Sequence, residues 1–291
     1  MKLADHAPLS RAEFHERLRR IGAERYHDRH PFHRRLHGGQ CSPDEVRAWV
    51  INRWYYQSRI PMKDAAFMSR LEDAQMRRIW RHRIEDHDGG IDEGGGIRRW
   101  LALARAVGLD PAYVESGQGV LPATRFAVDA YVRFVREMPL LDAVASSLTE
   151  MFAPRIHAER IEGLLRHYDF ADDTSLAYFR RRLVEAPQDV AFGLNYVLDH
   201  ADTRERQDAA AAALVFKTEV LWAQLDALWH AYVQGNIPPG AWRPGEGLVT
   251  PLPAGAGAGA GPGAGADRPS PAPVAAAAAH SAAADSSGGP G

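Results

Sequence analysis

Apolar residues recur three and four apart from about residue 10 to about residue 240, and no convincing run of alternating β-branched residues interrupts them. That period marks amphipathic helices, each of which must bury its stripe against another, so the chain is expected to be an all-α bundle of about seven helices. Start signals agree with the period. Ser10 with Glu13, and again Ser42 with Glu45, have capping-box spacing, and Pro43 takes the favoured first turn; they open the series Phe14, Leu18, Ile21 and Val46, Trp49, Val50. Further helices are predicted over about 62–87, 97–107, 122–136, 140–152, 154–166, 174–199 and 204–234, with Gly108 as a stop and Pro122 as a first-turn residue.

The charges fall where such stripes ordinarily exclude them. Arg53 and Gln57 continue the face of Val46, Trp49 and Val50, while Arg83 and His87 continue that of Met76 and Trp80. Tyr131 lies between Val128 and Val135; Glu150, Ala153, His157, Arg160 and Leu164 share a face; Tyr178 and Arg182 are one turn apart. Lys217, one of three lysines against 32 arginines, sits among Leu214, Leu221 and Leu228. A lone inward arginine is usually an edge residue whose stem packs while its head reaches water. Six helices doing this together point to one central polar cavity, because unpaired buried charge costs several kcal/mol per group. Arg53, Lys63, Arg83, Arg160, Arg182 and Lys217, with Glu150 as the only strong acid assigned to the cavity, suit an anionic ligand with several carboxylates. His27, His87, His157, Tyr131 and Tyr178 add groups able to move protons near neutral pH.

Other chemistries find little support. A formal net charge of -2 argues against nucleic acid as partner. Glu24 and His27 match half of a paired di-iron motif, but no second copy follows, so no metal site is expected. Cys41, alone in the chain, allows no intrachain disulfide and lies in a turn. The first 18 residues lack the apolar core of a signal peptide and nothing approaches a membrane span, so a cytoplasmic protein is expected. Gly89, Gly90 and Gly94 to Gly96 form a loop or a hinge. From Val249 the composition becomes Ala, Gly, Pro and Ser; residues 1–248 are taken as the catalytic domain and 249–291 as a disordered tail or linker.

Several segments carry a resemblance. Arg25-Tyr26-His27 with His30-Pro31, Asn52-Arg53-Trp54-Tyr55-Tyr56-Gln57, Ile60-Pro61-Met62-Lys63-Asp64-Ala65-Ala66 and Asp86-His87-Asp88-Gly89 are similar to the pyrroloquinoline-quinone synthases. So are Arg125 to Tyr131, Ser146 to Glu150 and Phe152-Ala153-Pro154, in order, across about residues 10–235. The resemblance implies a haem-oxygenase-like fold, usually homodimeric. It implies an oxidase with no metal or flavin cofactor that closes a ring in, and oxidises, a tricarboxylated bicyclic precursor, using O2 and releasing H2O2. By matching position it implies that His27, Arg53, Gln57, Lys63, Arg83, Tyr131, Glu150, Arg160 and Lys217 hold substrate, that His87 transfers protons, and that His157, Tyr178 and Arg182 shape the oxygen pocket. The peptide chaperone of the same pathway is a candidate partner, since some relatives are fused to it through such a linker. The alternatives are a thiaminase-like hydrolase on the same fold, which would need the Cys41 thiol, and a non-enzymatic carrier of an anionic ligand.

Overall fold

Eleven α-helices and no strand make up the described residues, 7–91 and 94–249, of the computed structural model, in which the side chains of 185–190 are likewise left aside. The helices are α1 (Arg11–Arg25), α2 (Pro31–His37), α3 (Pro43–Met68), α4 (Ala74–Asp88), α5 (Gly96–Ala106), α6 (Pro111–Glu115), α7 (Pro122–Glu137), α8 (Leu140–Ser146), α9 (Ala153–His167), α10 (Ala177–His200) and α11 (Arg204–Leu228). Two 3-10 turns, His27–Arg29 and Ser147–Phe152, and a π turn, Trp229–Val233, join or extend them. No described helix is long and apolar enough to cross a membrane. The tail expected from residue 249 lies, from residue 250 on, outside the described residues.

Local signals fixed most helix starts. Both expected capping boxes form, Ser10 with Glu13 and Ser42 with Glu45, and Pro43 and Pro122 occupy first turns. Gly108, at φ +81°, follows α5 as the expected stop. Eleven helices rather than about seven result from breaks too local for periodicity to register. The five- and seven-residue α6 and α2 were not anticipated; each begins on a proline with a side-chain cap, from Asp110 and His30. Segment 140–152 is α8 plus a 3-10 turn, so Glu150 sits on tighter backbone than an α-helix provides. Pro61 does not divide α3, although it deprives the Gln57 carbonyl of its helical donor; the break comes at Ser69–Asp73 instead.

α3 is the organising element. It packs against α7, α4 and α5, and α11 closes the other side through α8, α7 and α1, while α9 pairs with α10 and α2. The α2–α9 contact depends on a missing side chain: a Cβ at Gly163 would stand 2.5 Å from the His37 carbonyl oxygen. Gly163→Ala should therefore cost about 1–2 kcal/mol, overpacking against fixed backbone outweighing the helix propensity gained, as read by denaturant unfolding. Gly193→Ala, whose Cβ would make ordinary contact with Leu148 at 3.7 Å and Val144 at 3.8 Å, should instead stabilise by about 0.5–1 kcal/mol.

Candidate active site

Arg53 from α3, His87 from α4, His157 and Arg160 from α9, and Arg182 from α10 converge with His27 and Glu150 of the two 3-10 turns on one cavity of about 550 Å3. Tyr26, Tyr56 and Thr149 complete its polar wall, and none of these three was anticipated from the sequence. A smaller, largely apolar annex, with Phe32, Leu36, Trp49 and Leu225 in its wall, shares His27, Arg53 and Arg160 with it.

Gln57, Lys63, Arg83, Tyr131, Tyr178 and Lys217 are buried around this cavity without lining it. Tyr178 Oη donates to Gln57 Oε1 at 2.8 Å, joining α10 to α3. Lys217 Nζ donates to Tyr56 Oη at 2.7 Å and stands 3.3 Å from the centroid of the Tyr131 ring. Arg83 grips Glu150 with both terminal nitrogens, at 3.0 and 2.5 Å.

The acid inventory needs a correction. Glu150 is not alone: Asp64, fully buried, accepts from Lys63 Nζ at 2.5 Å and Trp80 Nε1 at 2.9 Å and lies 3.6 Å from Arg83 Nε. Asp64 was overlooked although two signals were available, its spacing of three and four from Ile60, Pro61, Phe67 and Met68 and its adjacency to the inward Lys63. Two of the six expected cations are thus neutralised in place. Arg53 and Arg160 have no ion pair within 4 Å among the described residues; Arg53 lies over the Tyr56 ring at 4.2 Å, and Arg160 donates to His37 Nε2 at 3.1 Å. Arg182 approaches Asp86 at 3.8 Å.

These charges set the imidazoles. Burial, reinforced by Arg53 and Arg160, holds His27 well below the ordinary histidine range; burial with Arg160 and Arg182 does the same to His157. Burial, with Arg182 adding to it, lowers His87 to about 4. His87 Nδ1 lies 3.0 Å from the Arg83 carbonyl oxygen, which can only accept, so Nδ1 carries the hydrogen and Nε2 is the basic nitrogen. His27 Nδ1 and His157 Nδ1 are buried with no hydrogen-bond partner among the described residues. Lys217 is also held well below its ordinary value, by burial and then by Lys63 and Arg53.

Cys41 lines no part of the cavity, and burial pushes its thiol up to about 12. Glu24 is exposed at the end of α1 while His27 turns inward. His33, His37 and Glu159 do bring three potential metal donors within 4.8 Å, but arginines already engage two of them: Arg160 bonds His37, and Arg155 bonds Glu159 at 2.6 Å.

Residues 15–227 match the family described as TENA/THI-4/PQQC. A pyrroloquinoline-quinone synthase of Ruegeria pomeroyi is 73% identical over 240 residues, which span 82% of this chain and 100% of the relative. Two solved structures share the fold at low identity. A TenA homologue from Pseudomonas syringae has a TM-score of 0.63 at 11% identity, covering 78% of this chain and 99% of its own. A domain with a haem-oxygenase-like fold from Shewanella denitrificans has 0.59 at 13%, covering 80% and 96%.

Burial alone would raise the Glu150 carboxyl, but the charge and hydrogen bonds of Arg83, then Arg182 and Lys63, bring it down to about 2. A depressed acid contributes stability above its unfolded value of about 4.3 and loses it as pH falls through the folded value. Glu150→Gln should therefore cost about 2–3 kcal/mol at pH 7, and the deficit should shrink between about pH 4.3 and pH 2, as followed by denaturant unfolding across that range.

Proposed function

The chain belongs to the TENA/THI-4/PQQC family, and on that premise we propose that it is a pyrroloquinoline-quinone synthase, an oxidase that closes a ring in a tricarboxylated quinoline-type precursor and oxidises it with O2. The observation that carries this reading is Arg53 and Arg160, two cavity-lining guanidiniums with no described carboxylate within 4 Å, beside three imidazoles held neutral. Guanidinium stays charged at any physiological pH and clamps carboxylates in a bidentate fork. Each oxidation passes two electrons and two protons from a quinol to O2, giving quinone and H2O2. Fixed cations favour the deprotonated, more reducing quinol and stabilise reduced oxygen as its charge develops. In this reading His87, which lines the cavity with Nδ1 held by the Arg83 carbonyl, takes or returns a proton through Nε2 at each step. His157 and Arg182 face the oxygen from the cavity wall in the same reading, with Tyr178 buried next to His157, and no metal or organic cofactor takes part.

The protein acts, in the same reading, as a cytoplasmic homodimer, with the pathway's peptide chaperone as a partner. Exposed Phe126 and Met62, on the paired helices α7 and α3, are apolar surface that a second copy would cover.

Chelator-treated protein given the quinone precursor should consume O2 and develop the spectrum of the finished quinone. Binding without O2 uptake would leave a carrier, and activity abolished by Cys41→Ala would favour the hydrolase. His87→Ala should retain binding while turnover falls about 10²–10⁴-fold; unchanged turnover removes His87 from proton transfer. Tyr178→Phe or Arg182→Met should accumulate a partly oxidised intermediate, visible spectrally, and a normal product spectrum from both counts against the oxygen-facing role.

A further inference from the structure

On the outer side of the cavity wall lies a second, open basin of about 1260 Å3. Five arginines line it, Arg19 and Arg20 of α1, Arg29, Arg34 of α2 and Arg155 of α9, against two acids, Glu16 and Asp28. Arg155 is tied to Asp28 at 2.5 Å and to Glu159 at 2.6 Å. Arg19, Arg20, Arg29 and Arg34 are exposed and form no ion pair among the described residues. Such an excess is local, since the whole chain carries a formal charge of -2. Like charges held in a concavity without counter-ions of their own concentrate field there and draw anions in.

The partition between basin and inner cavity is one residue thick. Along 26–29 and 152–157 consecutive residues alternate sides: Asp28, Arg29, Phe152 and Arg155 face the basin, His27, Ala153, Ile156 and His157 face the cavity, and Tyr26 lines both. Tyr26 and Phe152 meet ring to ring at 5.4 Å, and the Phe152 ring fills the space that a side chain at Gly22 would occupy. Backbone near the Phe152 end is 3-10, which holds its hydrogen bonds less well than an α-helix.

We propose that the basin is a capture site for the polycarboxylate substrate, which then passes to the inner cavity across the Tyr26–Phe152 partition. The assignment rests on the oxidase reading above, which makes the ligand a tricarboxylate. Arg19, Arg20, Arg29 and Arg34 raise its concentration at the wall, and a substrate carboxylate competing with Asp28 for Arg155 loosens the ion pair that ties the two partition segments together.

The test is stopped-flow association of pyrroloquinoline quinone with the full chain at several salt concentrations. Wild-type association should slow steeply with salt. Arg19→Glu with Arg34→Glu should lower the association rate constant at least tenfold and flatten its salt dependence, while dissociation and saturated turnover change less than twofold. Arg19→Gln with Arg34→Gln should show a smaller loss in the same direction. Arg204→Glu with Arg206→Glu, the same charge change in the first turn of α11, should leave association near wild type. Association unchanged in the basin variants, or lowered equally by the α11 pair, overturns the capture site alone. A wild-type chain that does not bind the quinone overturns the oxidase reading and the capture site with it.

Discussion

Lys63, Asp64, Arg83 and Glu150, linked by contacts of 2.5 to 3.6 Å between α3, α4 and a 3-10 turn, make a cationic interior tolerable in this protein. Charges removed from water lose several kcal/mol of solvation each, and only well-formed pairs return it. With two acids committed to two cations, the net excess that the fold must carry unpaired is confined to the groups facing the cavity.

That excess also divides the labour among basic residues. Arginine keeps its charge under almost any burial; Arg160, with Arg53 nearby, is lowered only to about 10. Histidine yields to burial first and to the same cations second, and His27, His87 and His157 are all pushed toward the neutral form. One electrostatic environment therefore supplies permanent cations for holding an anion and neutral imidazoles ready to accept protons. The Arg83 carbonyl, on the residue that grips Glu150, accepts from His87 Nδ1 and so leaves Nε2 as the basic nitrogen.

Much of this was legible in the chain. Capping boxes at Ser10 and Ser42, the stop at Gly108 and the start at Pro122 are signals contained within a few residues, and each produced the element expected. Helical spacing marked eleven of the thirteen expected site residues as inward, since a charge on an apolar stripe has few places to go, while His27 and Lys63 entered by residue type and by the resemblance; seven of the thirteen line the cavity and six are buried around it. Tyr26 and Thr149 escaped because their role depends on neighbours from other elements rather than on their own position in a stripe, whereas Asp64, on the face of Ile60, Pro61, Phe67 and Met68, was legible and was missed. The short helices α2 and α6 escaped because five or seven residues hold too few turns for a period to be read.

Helix identity, helix ends and the inward placement of arginine, lysine and histidine follow from the order of residues, because propensity, capping and periodicity act over a few positions. Which of those inward groups share a cavity, which are quenched by a partner acid, and that a single layer from Tyr26 to Arg29 and from Phe152 to His157 separates the cavity from a basic basin were decided only by the tertiary structure. Coulomb energy and desolvation depend on distances in space, and segments more than a hundred residues apart acquire those distances only when the helices pack.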